Sequence, residues 1–452
     1  MAYNLASGVM TSFAPVMNSQ VRALAVSPDG SILYAGGDFT SVNGVNRYRL
    51  AAFSTATGAL LPSFAPVLDY KVTALTATAT TVFIGGGFNS VSGNARARLA
   101  AVNATTGALT SWNPGADAQV NALVVTPRGD MIIAGGAFQN VAGRPAYGLA
   151  ALDATGALKS WAAGAKVRDA GKNAAILSLT SDGASIYGSG YVFGSGGNLE
   201  GAFSANPDTG AINWIEDCHG DTYSVYASQF AFYSVSHAHY CGNVGGFPQS
   251  DPWSVNSRHA IAFTRAATGT VGTDPFGGAY FNWGGNPSPS IMNWFPDMTT
   301  GTFTGQNQAA WSVSGNSQYV VLGGEFPTVN GVGQQGLARF AVSPPAPHLQ
   351  GPRLSGASLV PTLASLASGS VRISFPADWD RDDVQLTYKV IKDSNSASPV
   401  YSTSVSSTYW NRPTITFTDV GLASGSSHKY RLQAIDPSGN SVFGDTVTIT
   451  VQ

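Results

Sequence analysis

Charge is scarce in this chain: only 11% of its 452 residues are Asp, Glu, Lys or Arg, against roughly 25% in an average globular protein. The 23 basic and 25 acidic residues nearly cancel, and no Lys/Arg-rich block occurs. That removes the electrostatic basis for non-specific binding to nucleic acid or to an anionic membrane, so neither is an expected partner. No run approaches the roughly 18 apolar residues of a membrane helix, so no membrane insertion is expected. The opening residues, MAYNLASGVM, lack the basic and apolar segments of a secretory signal. The chain is expected to be soluble as given, and to reach the outside either after loss of a leader or by another route, such as a phage particle. Cysteine is limited to two residues and histidine to six.

Glycine and proline are abundant, with 53 and 24 residues, and they bound short apolar runs. Together these features indicate an all-β protein. The length exceeds what one compact core usually organises, so a repeat-built domain plus another is expected.

An internal repeat is visible. GG-x-aromatic occurs at Gly36-Gly37-Asp38-Phe39, Gly135-Gly136-Ala137-Phe138 and Gly323-Gly324-Glu325-Phe326, and in compressed form at Gly86-Gly87-Phe88. A hairpin pattern precedes each copy, as in VRALAVSPDGSILYAGG, where Pro28-Asp29-Gly30 supplies the turn. Downstream come a turn such as Val42-Asn43-Gly44, the run LAA at Leu50, Leu99 and Leu149, a Thr-Gly pair and an aromatic. Four strands in about 50 residues match one propeller blade. Phe13, Phe64, Trp112, Trp161, Trp214 and Trp294 each end a repeat, which counts six blades. Residues 12–15 have no earlier strands of their own, and the last repeat, ending near Phe340, has no final strand. The expectation is a six-bladed β-propeller over 1–343, closed by its N-terminal strand, which removes open edges. Through GGxF, the NG turn, LAA and TG, residues 5 to 343 resemble the delta-60-type repeats of uncharacterised bacterial surface and secreted proteins. The resemblance bears on the fold and little on activity.

Ser343-Pro344-Pro345-Ala346-Pro347 interrupts the repeat, so 344–350 reads as a semi-rigid linker. From 351 to 452, VRISF, LTYKV and LASGSSHKYRLQAIDPSGNS look like a fibronectin type III β-sandwich. Phe375 stands where that family generally has a buried Trp, and His428 where it has the corner Tyr. Asp378, Asp380, Asp382 and Asp383 form an acidic cluster with the oxygen chemistry for Ca²⁺, or else a solvated loop.

Blade five, about 221–300, departs from the period. Both cysteines lie at its start, and a hairpin turning near Ser228-Gln229-Phe230 pairs Cys218 with Cys241 as a cross-strand disulfide. Such a bond implies an oxidising setting; free thiols or metal ligands are the competing readings. His237 and His239 share one strand face, with His219 and Asp221 on the paired strand, a donor set suited to Zn²⁺ or another transition ion. The register places His219 and Asp221 on the opposite face, so a metal site needs that register to break; otherwise the histidines line the channel mouth without an ion. No GxSxG, HExxH or phosphate-binding loop is present. Glu200, Glu216, Asp217, Asp221 and Asp251 are the carboxylates a glycosidase could draw on.

The insertion 270–290 carries Tyr280, Phe281 and Trp283 among Gly, Asn and Pro, with Trp253 and Asn256 nearby. Exposed aromatic faces flanked by amides suit a sugar ring; the same aromatics could instead plug the loop onto its own blade. The leading expectation is a non-enzymatic extracellular recognition or adhesion protein at a cell or virion surface, binding a glycan or surface protein through the propeller face. Its rivals are a structural component of a surface layer, appendage or phage tail, in a homo-oligomer or larger assembly, and a polysaccharide-active enzyme at blade five.

Overall fold

The computed structural model describes residues 1–342 and 350–452, apart from the side chains of Trp253 and Ser254. The linker assigned to 344–350 lies outside the described residues except for Gln350. Strands dominate, with two four-residue α-helices, Ala163–Lys166 and Trp253–Asn256, among the described residues. No helix among them is long and apolar enough to cross a membrane. The chain divides into two compact units. The first comprises 1–245, 249–291 and 297–342; the second takes 246–248, 292–296 and the described C-terminal residues from 350 on.

The first unit is a succession of antiparallel sheets. Val21–Val26, Ile32–Gly37 and Leu50–Ser54 form the first; Val72–Ala77, Thr81–Gly86 and Leu99–Asn103 the second. The third begins with Val120–Val125, the fourth with Ala174–Ser181, the fifth with Thr222–Ala227 and the sixth with Ala310–Gly315. These leading strands lie side by side in chain order. Between sheets sits the core: Tyr34 and Leu50 of the first sheet pack with Val72, Val82 and Val102 of the second. The repeat aromatics tie sheets together, since the Trp112, Trp161 and Trp214 indoles donate to the carbonyls of Asp153, Pro207 and Arg265 in the following sheet. Trp294 is half-buried, and its segment 292–296 groups with the second unit.

The paired glycines, which in the second sheet are Gly85-Gly86 of an uncompressed Gly85-Gly86-Gly87-Phe88, have two separate causes. A Cβ on the first would come within 2.4 to 2.6 Å of a side-chain methyl on the next sheet, Val72 for Gly36, Val120 for Gly85 and Ile176 for Gly135. A Cβ on the second would come within 2.1 to 2.3 Å of a main-chain carbonyl, Gln20 for Gly37, Lys71 for Gly86 and Gln119 for Gly136. That carbonyl is pressed inward beside a bulge in the leading strand, as at Val72/Ala74 and Val120/Ala122.

The N-terminal closure is not what the structure shows. Met10 bridges Tyr3, and Asn4 through Gly8 form a local turn in which the Asn4 Oδ1 accepts from the Ser7 N–H. The segment repeats the turn at Asn103–Gly107 and satisfies its own backbone, so it folds on itself. Its link to the sixth sheet is the Arg339 guanidinium, which donates to the Leu5 and Ala6 carbonyls. Accordingly, a Cβ at Gly323 would meet nothing within 4 Å, and Leu24 of the first sheet is 61% exposed where its counterparts Leu75 and Leu123 are buried.

The second unit contains two sheets. One orders Thr362–Ala364, Ser370–Pro376 and Thr414–Val420; the other centres on Gln385–Lys392 and Ser427–Ile435. Phe375, Leu386, Tyr388, Tyr430 and Leu432 fill the space between them. Phe375 is buried. His428 is not a core residue: its Nδ1 lies 2.7 Å from Asp393 Oδ2, and the buried phenol belongs to Tyr430, which donates to Asp419.

Candidate functional site

The hairpin Thr222–Ala227 and Phe232–Ala238 places the fifth-sheet residues. Its register shifts by one at a bulge at Thr222/Ser224 and shifts back before a bridge between His219 and Tyr240. One residue further out, Cys218 and Cys241 form a disulfide with 4.3 Å between Cα atoms, both side chains buried. The bond closes a separation of 23 residues, which corresponds to about 3 kcal/mol of loop-closure entropy. Replacing both cysteines by serine is expected to lower the urea midpoint by that order of free energy; an unchanged midpoint would show that the bond does not constrain the chain.

The bulge turns His219 toward the HxH pair. Its ring centroid is 6.2 Å from that of His239, and it is fully buried under Tyr280, stacked at 3.7 Å. Tyr240 and Phe276 cover its other sides. His219 Nε2 is 3.0 Å from Asp274 Oδ2, off the hydrogen-bond line. His237 Nδ1 meets the Tyr223 hydroxyl at 2.6 Å, and His239 Nδ1 meets Gln249 Oε1 at 3.0 Å. Burial lowers the imidazoles, to about 3 for His219 and about 4 for His237, with His239 and His259 also lowered.

The expected metal set does not assemble. Ligand atoms of His219, His237, His239 and Asp221 do not converge; among the described residues, the only convergent groups are Glu216 with the two disulfide-bonded cysteines, and Asp380, Asp382 and Asp383. The cysteine sulfurs are already consumed by their mutual bond, and the imidazole Nδ1 atoms of His237 and His239 face protein partners.

Carboxyl groups crowd the same region. Burial pushes Glu200, Glu216 and Asp217 up to about 8, with Asp221 adding to the rise of Glu200 and Glu216 to that of Asp217. Burial raises Asp169 to about 7 and Asp221 to about 6. Glu216 accepts from the Cys218 N–H and Asp217 from the Asn243 amide. At neutral pH Glu200, Glu216 and Asp217 favour the neutral form, Asp221 is mostly ionised, and His219 and His237 are neutral.

A cavity of about 590 Å³ opens between the fourth and fifth sheets, with Glu200, Asp217, His237, His239, Gln249 and Asn198 on one side and Phe276, Tyr280 and Phe281 on the other. Of the expected ligand-binding residues, Tyr280 and Phe281 line it. Trp283 does not: it is buried, donates its indole N–H to the Asn198 carbonyl and packs on Phe281. That is the plugging role, because the loop has no other apolar anchor of that size. Asn256 donates to the Ser250 carbonyl and lies outside the lining, as does exposed Asp251. The Trp253 side chain lies outside the described residues. Sequence reasoning missed Asp169, Asn198, Tyr223, Asp274 and Phe276. The one mark in the sequence near them is that Ser189-Gly190-Tyr191-Val192 stands in the fourth repeat where the others have GG-x-aromatic.

Residues 1–137 match the family model of the Rax2 C-terminal beta propeller domain. No curated protein matches the chain. Among solved structures, the β-propeller domain of Myceliophteria thermophila Cps50 (Swd1) aligns at 10% identity and a TM-score of 0.38, covering 72% of this chain and 84% of that one. With the family match over its first repeats and its run of consecutive antiparallel sheets, the chain is an all-β protein of the β-propeller type.

Proposed function

We propose that the chain is a six-bladed β-propeller followed by a fibronectin type III-like domain, and that it acts outside the cell or on a virion as a recognition protein for a neutral glycan. The observation that carries this reading is the composition of the cavity between the fourth and fifth sheets. It joins aromatic faces, which accept the apolar side of a sugar ring, to amides, imidazoles and carboxyls that are uncharged at neutral pH. Such groups exchange hydrogen bonds with hydroxyls and offer a strong ion-pair partner to neither an anion nor a cation. The buried disulfide supports an oxidising location.

Glycan-array binding by the intact protein tests the reading, with Phe281→Ala as the informative variant because Phe281 is 52% exposed. Loss of one stacked ring is expected to weaken binding about tenfold, from roughly 1 kcal/mol or more per aromatic contact. No binding to any neutral glycan would overturn it. Trp283→Ala is a folding test, since that ring is buried.

One observation favours a polysaccharide-active enzyme as the second reading: two carboxyls that line one cavity, Glu200 and Asp217, are both held up near pH 8. A protonated carboxyl is what a glycosidic general acid requires. Release of reducing ends that disappears in Glu200→Gln would establish it.

A further inference from the structure

We propose that Asp380, Asp382 and Asp383, in the second unit, bind a calcium ion. One carboxylate oxygen from each lies within 4.8 Å of the other two. Carboxylate oxygens gathered at that separation are the donor set a hard divalent cation takes.

The second observation is independent of the clustering. Asp380 is fully buried, yet only Oδ1 has a directed partner, the Asp382 N–H at 3.2 Å; Oδ2 is buried without one. An unpaired buried carboxylate oxygen is costly unless a proton or an ion meets it. Asp382 is exposed, so the site is open to solvent on one side and leaves room for water ligands.

Asp378 is not a ligand, although it belongs to the same acidic run. Both of its oxygens accept from the Leu354 N–H, and Oδ1 also accepts from the Trp379 N–H. Its carbonyl takes the Tyr388 and Ser407 hydroxyls. It is a structural brace, and the ligand set shifts two residues along the chain. Oxygen donors alone, with no imidazole or thiolate, select a hard cation. A site with an exposed member and three carboxylates fits the flexible shell of six to eight oxygens that Ca²⁺ takes better than the strict octahedron of Mg²⁺.

The test is calorimetric titration of the metal-free full chain with CaCl₂, paired with thermal melts. One ion per chain is expected, with a Kd on the order of 0.1 to 1 mM, the range of extracellular calcium modules, and an upward Tm shift at saturation. Asp380→Asn and Asp382→Asn should each weaken binding at least tenfold, while Asp445→Asn, elsewhere in the unit, should not. Should the Asp380 variant fail to fold, Tb³⁺ luminescence sensitised through the adjacent Trp379 in the unaltered chain gives the same answer, as calcium should displace it with one saturation. Absence of heat and of a Tm shift at 10-fold above the expected Kd would overturn the proposal and leave a shared proton between Asp380 and Asp382 as the explanation. Binding that survives the double substitution would overturn it equally.

Discussion

Gly86→Ala is expected to destabilise the protein by on the order of 3 kcal/mol, while Gly323→Ala leaves stability unchanged to within about 0.5 kcal/mol. Both glycines belong to the same repeated motif, so the difference tests what the motif does. A Cβ at Gly86 would lie 2.2 Å from the Lys71 carbonyl oxygen and 3.1 Å from the Val72 Cα, both main-chain atoms. That carbonyl is fixed, because it accepts the Gly87 N–H at 3.0 Å next to the bulge in Val72–Ala77. Relief therefore requires the bulge to unpair. Gly85→Ala should fall between the two, since the obstacle there is the Val120 methyl at 2.6 Å, on a β-branched side chain with little freedom. Gly323 is the Gly85 of the last sheet, but nothing lies within 4 Å of its Cβ position. Urea unfolding of the three variants measures the order. A stable Gly86→Ala would sink the packing argument. A loss at Gly323 as large as at Gly85 would show that the first and last sheets meet in solution, burying Leu24 against that glycine.

The glycine pairs show how much was legible in the sequence. GG, NG and TG mark backbone positions, and each lands where its chemistry requires: Asn43-Gly44 and Asn330-Gly331 both carry positive φ, as do Gly58, Gly107 and Gly156 of the Thr-Gly turns. The cysteine pairing was legible for the same reason, as a hairpin register is arithmetic on residue numbers once the turn is placed. The role of the N-terminus was not, because SFAP looks the same whether it pairs with the last sheet or with Tyr3; the Asn4 to Gly8 turn decides that through local hydrogen bonds. The site was legible only in outline. Trp283, Phe281 and Tyr280 are similar in sequence, and what separates a buried plug from a cavity wall is the position of the Asn198 carbonyl, contributed by a loop 85 residues away. The HxH pair misled because the bulge at Thr222/Ser224 rotates His219 without leaving a mark in the residue pattern.

Stability should be greatest near pH 4 and fall by several kcal/mol as the pH rises to 8.5. Glu200, Glu216 and Asp217 keep their protons in the folded chain up to about pH 8, Asp169 to about 7 and Asp221 to about 6. In the unfolded chain the same groups ionise from about pH 4. Their contribution is therefore full below pH 4 and is lost as the pH climbs through the folded values. The imidazoles act in the opposite sense. His219 and His237 are lowered to about 3 and 4, so their contribution is full above about 6.5 and is lost as the pH falls through those values. Between pH 4 and 6.5 the five carboxyls outweigh the two imidazoles, so stability already falls, and above 6.5 the carboxyls with folded values near 7 and 8 continue the decline alone. Thermal melts across this range measure it, and a stability that is flat or rising from pH 6.5 to 8.5 would contradict the burial of these groups. Glu216→Gln isolates one of them. The amide keeps an oxygen to accept the Cys218 N–H and cannot ionise, so the variant should lose less stability toward pH 8.5 than the parent. Because Glu200 and Asp217 line the cavity, the same ionisation puts negative charge where the proposed neutral ligand would sit, and glycan binding should weaken over the same interval in which the fold does.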